Sequence, residues 1–204
     1  DYSIEGACCK VFGTESVWLA INDALQIAGG NGFMEEYPYE RALRDSRVNM
    51  IFEGTNEILR VLVALSGMKE VGDGLQEVGR ALKAPLSSFG ILSDYAARRV
   101  RLTLPSTRRL SRVHPALAAE SALLAKYTRV TGGAVETLLR KYGKGVISKE
   151  YHHERLANIA IDLYASMAVR SRATSALEKR GAEKGEEEAR LARLFVGGAR
   201  RRIV

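Results

Sequence analysis

"QIAGGNGFMEEYPYERALRDSRVNMIFEGTNEILR" fills residues 26–60 and decides how the chain is read. Glycines break an otherwise helix-favouring run twice, at Gly29, Gly30 and Gly32 and again at Gly54, and Glu53 stands against the second break. Upstream, Ala7, Val11, Trp18, Ile21 and Leu25 recur at helical spacing and predict a helix over residues 4 to 27. Gly29 and Gly30 would stop it, with Asn31, Gly32 and Phe33 in a short loop. Pro38 suits the first turn of a second helix, whose polar side carries Arg41, Arg44 and Asp45. After Gly54, Thr55 or Asn56 can cap a third helix running through Ile58, Leu62, Leu65 and Met68. No segment of any weight has a strand period, so the expected fold class is all-α.

Farther along, the pattern loosens between Gly72 and Pro115, where Gly74, Gly79, Pro85, Gly90 and Pro105 punctuate it. Six arginines and no acid lie between Arg98 and Arg112, interleaved with apolar residues. His114-Pro115 opens a long helical stretch to about Tyr142. Another runs from Lys149 to Arg180, with Leu156, Ile159, Ile161, Leu163 and Met167 among its apolar positions. The acidic run Glu183 to Glu188 starts a last helix ending in "GGARRRIV"; acid early and base late suits the helix dipole. The second half therefore predicts a three- or four-helix bundle. The expected organisation is one helical domain over residues 1–71, a linker with a basic segment over 72–115, and a second helical domain over 116–204.

The 204 residues suffice for a buried core. A net charge of +7 permits an acidic partner without requiring one. Cys8 and Cys9 are adjacent and have no third cysteine to join, which argues against a disulfide framework or a zinc site. No run is apolar enough to span a bilayer, and no signal peptide or basic presequence is visible. The chain opens on helical sequence without an initiator Met, which predicts a piece cut from something longer.

Glu53 has the best claim to chemistry. It follows the apolar run "NMIF" and precedes Gly54, whose missing side chain lets a ligand approach the backbone. A carboxylate in apolar surroundings gains proton affinity, as a general base for a weak carbon acid requires. The free N–H groups of the next helix turn can hold an anion. By spacing alone, most Glu-Gly pairs before helices are turns. "GGNG" follows a helix rather than a strand, so it fails the context of a Rossmann or P-loop glycine motif and reads as a helix stop.

Taken together, "LQIAGGNGF", "YPYERALRD" and "IFEGTNEILR" resemble, in order and spacing, the C-terminal part of the acyl-CoA dehydrogenases. "ILRVLVALSG", "EVGRALKAP", "VHPAL" and "RLANIAIDLYA" extend the resemblance to the very-long-chain branch, which adds a helical domain. The resemblance implies FAD-dependent α,β-dehydrogenation of a fatty acyl-CoA thioester in β-oxidation. It makes Glu53 the base that takes the α-proton, with its backbone N–H among the donors to the thioester oxygen, and it puts Gly54 against the substrate. Thr55, Asn56 and Glu57 match positions that contact FAD beside the base. Gln26, Ile27, Ala28, Gly29 and Gly30 match the segment that meets the adenosine-diphosphate part of FAD bound mainly by the neighbouring subunit. Arg44 and Asp45 match a recurrent pair expected to serve as ion-pair residues.

The resemblance further implies a homodimer, electron-transfer flavoprotein as acceptor, and no metal. The location would be cytoplasmic or membrane-associated in a bacterium, and the mitochondrial matrix or inner membrane in a eukaryote. The family's N-terminal helical and middle β-domains are absent, so this chain alone is expected to be inactive. Arg98–Arg112 reads either as a peripheral membrane contact or as a solvated linker. Nucleic acid is not expected, since no recognition motif or stacking platform accompanies the arginines. The alternative to an enzyme is a non-catalytic helical module for dimerisation or membrane docking.

Overall fold

The computed structural model describes residues 2–83, 90–91, 93–97 and 112–203. Within them the chain is helical, without strands, as its periodicity predicts. It forms two compact units, one up to Val63 and one from Ala64 on.

In the first unit, α1 (Ser3–Ala28) ends at Gly29, whose φ of 60° is left-handed and suits glycine. The expected loop is a 3-10 helix, Gly29–Phe33. A Cβ at Gly32 would overlap the Leu25 carbonyl, so only glycine lets the chain fold back this tightly. Helix α2 (Tyr39–Val48) follows Pro38 and packs on α1. Ala7, Cys8 and Val11 are buried, whereas Trp18, Ile21 and Leu25 on the same stripe are only half-buried. Arg47 lies over the Trp18 ring, 5.7 Å from its centroid.

Helix α3 (Asn56–Ala81) starts in the first unit and ends in the second. It continues through Gly72 and Gly74, where the sequence pattern predicts a linker. Each glycine in a helix interior costs about 1 kcal/mol. Val71, Leu75 and Val78 offset that by half-burying along the same turns. Gly90, Ile91 and Ser93–Ala97 are helical as well.

The second unit is built on α4 (Ala118–Tyr142), α5 (Glu150–Lys184) and α6 (Glu186–Ile203). His114 caps the 3-10 turn Pro115–Leu117 that leads into α4 by accepting from the Ala116 N–H at 3.3 Å. Leu117, Ala173, Leu177, Ala189 and Ala192 form one core cluster; Leu124, Tyr127, Leu163 and Val196 form another. The alanines let α5 and α6 approach closely. At the turn between them Gly181 leaves the helix at φ 80°. A Cβ at Gly185 would lie 2.9 Å from the Leu177 backbone. Arg180 pairs with Glu188 across the same turn, and Arg193 pairs with Glu186 at 2.7 Å within α6. The basic end folds back: Arg202 grips the buried Asp162 with two nitrogens, Nε at 3.0 and 3.1 Å and Nη2 at 2.6 Å.

The basic segment Arg98–Arg112 lies outside the described residues except for Arg112, which is exposed at φ 57°. Tyr95, just before it, donates its hydroxyl to the buried Glu136 at 2.7 Å, and Arg140 joins the same carboxylate at 2.9 Å. No helix among the described residues is long and apolar enough to cross a membrane.

Candidate active site

Helix α2 ends in a turn through Phe52, and the chain then takes two left-handed steps: Glu53 at φ 53° and Gly54 at φ 91°. Left-handed backbone at a bulky non-glycine residue costs about 1 kcal/mol or more and is held only where the surroundings dictate it. Here the next residues do so. The Asn56 N–H reaches back to the Met50 carbonyl at 3.1 Å, closing the turn. Thr55 caps α3, its hydroxyl accepting from the Ile58 N–H at 3.3 Å. Glu53 itself is exposed, so its carboxylate projects from the turn into space that a ligand could fill.

Asn56 is the hub beneath the turn, only 1% exposed. Its amide oxygen accepts from the Lys10 ammonium at 2.8 Å, and its amide nitrogen donates to Thr14 Oγ1 at 3.0 Å and Glu15 Oε1 at 3.2 Å. Lys10 also donates to the Gly54 carbonyl at 2.9 Å. Arg60 on α3 completes the cluster by pairing with Glu15 at 2.8 Å. A buried amide with all these partners filled is stable; with any one missing it would carry a desolvation penalty. Glu57 is exposed, and the hydrogen bond from its own backbone N–H holds its carboxyl below the usual carboxylate range, with Thr55 and Arg60 adding to the effect.

The structure therefore gathers Glu53, Gly54, Thr55, Asn56 and Glu57 into one turn. The Asn56 side chain faces inward, and the Thr55 hydroxyl serves its own helix. A ligand at this turn meets the backbone, Glu53 and Glu57. Space beside Gly54 is limited on the inner side, where a Cβ would sit 3.3 Å from Leu59 Cδ2.

Gln26, Ile27, Ala28, Gly29 and Gly30 form a second, separate feature. They close α1, whereas the turn is tied to that helix at Lys10, Thr14 and Glu15. At 1.5 Å per residue, Ala28 is about 20 Å farther along α1 than Thr14. Ile27 is 87% exposed and Phe33 82% exposed, and a Cβ on Gly29 or Gly30 would meet nothing within 4 Å. The result is an open backbone ledge flanked by apolar side chains. Nearby, Trp18, Leu25, Phe33, Leu43 and Val48 line an apolar cavity of about 520 Å³. Arg44 and Asp45 each form an ion pair one turn away on α2, Arg44 with Glu40 at 2.5 Å and Asp45 with Arg41 at 3.7 Å. Burial pushes the Cys8 thiol up to about 11, with the neighbouring Cys9 and Glu5 adding to it, which keeps Cys8 protonated and inert. No cluster of His, Cys, Asp or Glu suited to a metal occurs among the described residues.

Sequence reading missed Lys10 and the inward role of Asn56. A signal for Lys10 exists: it sits on the Ala7–Val11–Thr14 side of α1, a charge on the stripe that otherwise turns inward.

Comparison with known proteins bears on the same residues. Residues 1–68 match the model of the acyl-CoA dehydrogenase C-terminal domain, and residues 115–204 match that of the ACAD9/ACADV C-terminal domain. The very long-chain specific acyl-CoA dehydrogenase of Rattus norvegicus mitochondria is 41% identical over 182 residues, covering 88% of this chain and 28% of that protein. A probable acyl-CoA dehydrogenase of Bacillus subtilis is 31% identical over 196 residues, covering 96% of this chain and 30% of that protein. The crystal structure of an acyl-CoA dehydrogenase from Bacillus anthracis, complexed with FAD, superposes with a TM-score of 0.78 at 29% identity, over 98% of this chain and 31% of that one. The chain thus spans under a third of the length of these relatives. It belongs to the acyl-CoA dehydrogenase family and carries two C-terminal domains, one matching the acyl-CoA dehydrogenase model and one the ACAD9/ACADV model.

Proposed function

We propose that the protein carrying this chain is an FAD-dependent dehydrogenase of long-chain fatty acyl-CoA thioesters, with Glu53 as its base. The observation that carries this reading is the Glu53–Gly54 turn: an exposed carboxylate on a left-handed residue, fixed from below by a filled hydrogen-bond cluster. An α-proton of a thioester is weakly acidic, so its base must be aligned before the reaction rather than recruited during it. Glu53 takes the α-proton on its carboxylate, and its backbone N–H holds the thioester oxygen as charge builds there. Gly54 lets the thioester lie against the chain. When bound, the flavin supplies the acceptor for the β-hydrogen as hydride. The open ledge at Gly29 and Gly30, flanked by exposed Ile27, fits a flat ligand with a polyanionic bridge, and Gln26, Ile27, Ala28, Gly29 and Gly30 would hold that end of the cofactor. Of Thr55, Asn56 and Glu57, the exposed Glu57 and the backbone would hold the part nearest the base, while the Asn56 amide and Thr55 hydroxyl brace the turn.

The same reading makes the protein a homodimer in which each ledge serves the FAD of the neighbouring subunit. The exposed Ile27, Phe33, Met34 and Ile51 fit burial against that subunit or against domains this chain does not include. Electron-transfer flavoprotein as acceptor, a mitochondrial location in a eukaryote, and peripheral membrane contact through Arg98–Arg112 belong to the same reading. The test is anaerobic mixing of the full-length flavoprotein with palmitoyl-CoA. The flavin absorbance should bleach, and Glu53→Gln should abolish bleaching, by at least about 1,000-fold in rate, with FAD retained. Bleaching by the Glu53→Gln protein at the wild-type rate would remove Glu53 from the mechanism.

A further inference from the structure

We propose that Lys10 is a positioning residue for the base, holding the Glu53–Gly54 turn in its left-handed form. The inference rests on the assignment of Glu53 above and goes beyond it, because Lys10 is 43 positions away in sequence and acts on the turn through Gly54 and Asn56 rather than on the carboxylate.

The ammonium of Lys10 spans two acceptors on either side of the turn's exit, the Gly54 carbonyl at 2.9 Å and the Asn56 amide oxygen at 2.8 Å. Glu53 at φ 53° and Gly54 at φ 91° are the two residues just before that clamp. Without it, the Gly54 carbonyl would be free to rotate. The Gly54–Thr55 peptide could then turn, leaving the Asn56 N–H to Met50 carbonyl bond to hold the turn by itself, and the backbone around Glu53 would relax. Glycine alone cannot hold such a turn, since it enters right- and left-handed regions about equally. The charged donor makes each of these hydrogen bonds stronger than a neutral one. Thr14 Oγ1, which receives the Asn56 amide N–H at 3.0 Å, and Glu15 fix the far side of Asn56, so a change at Lys10 leaves that part of the cluster standing. No ion pair joins Lys10 to Glu53 among the described residues. The effect on the base is therefore one of geometry.

A misplaced base slows proton removal without weakening acyl-CoA binding. Misplacement by about 1 Å costs on the order of 100-fold in rate. In the full-length flavoprotein, Lys10→Met should lower kcat by about 10- to 100-fold, with KM for palmitoyl-CoA and flavin content close to wild type. The primary isotope effect with α-deuterated palmitoyl-CoA should rise, because proton abstraction becomes the slow step. Lys10→Arg, which keeps a charged two-acceptor donor, should recover most of kcat. If Lys10→Met fails to fold or load FAD, Lys10→Gln carries the same comparison, since its amide can still donate to one acceptor. A variant with lower thermal stability but wild-type kcat and isotope effect per bound flavin would overturn the proposal and leave Lys10 a structural residue. That result beside an inactive Glu53→Gln enzyme would spare the assignment of the base. Turnover by Glu53→Gln itself would overturn both.

Discussion

The two compact units use their residues in opposite ways. From Ala64 on, large apolar side chains fill two enclosed clusters, Leu117 with Leu177 and Leu124 with Leu163 and Val196, although Leu82, Ile147, Leu191 and Leu194 stay exposed. Before Ala64, Ile27, Phe33, Ile51, Phe52 and Ile58 face outward, and the most enclosed large side chains are Val11 and the amide of Asn56. The second unit is organised to hold itself together. The first is organised to present surfaces, and it keeps its one critical turn in shape with hydrogen bonds to α1 rather than with apolar packing. Hydrogen bonds fix direction as well as distance, which suits the role proposed for Glu53.

The contrast can be broken by stability measurements on the chain. Leu117→Ala removes a fully enclosed side chain and should cost about 3 kcal/mol in urea unfolding followed by circular dichroism. Ile27→Ala, at an exposed site, should change it by less than about 0.5 kcal/mol. Equal losses at the two sites would mean that the first unit buries Ile27 after all, by self-association of this chain. A smaller effect sharpens the view of the second unit. Arg202→Met leaves the buried Asp162 without its partner and should cost about 2 kcal/mol, reduced from the full value for a buried pair because the guanidinium is half exposed. An unchanged midpoint would mean that the last turn of α6 contributes nothing to holding α5. One further effect has the opposite sign: Glu53→Gly relieves a left-handed backbone and should raise the stability of the chain by about 1 kcal/mol. A loss of stability there would mean that the Glu53 side chain packs more than its exposure indicates.

Helix ends were the most legible part of the sequence, because glycine marks them chemically. Gly29 and Gly143 both stand at helix C-caps with left-handed φ. Glycines inside a helix carried no such warning. Gly72 and Gly74 have right-handed backbone, and only the half-buried residues around them determine that α3 continues. At the candidate site, the motif around Glu53 was legible as a unit, while the division of labour within it was not. Nothing in Thr-Asn-Glu says which side chain turns inward; that follows from Lys10, Thr14 and Glu15 arriving from a helix more than forty residues earlier. The ion pairs of Arg44 and Asp45 were foreseen in kind, and helical geometry sends each to a partner one turn away.

The left-handed backbone at Glu53 has a consequence for how such a site can change over generations. On the role proposed for Glu53, selection for activity holds an acid at a position where the main chain itself favours glycine. If a carboxylate elsewhere in the pocket took over the proton, replacing Glu53 would then carry a gain in stability rather than a loss. The position would drift toward glycine without any intermediate that folds less well. A base on such a turn is easier to relocate than one on a regular helix, where the acid and the backbone agree.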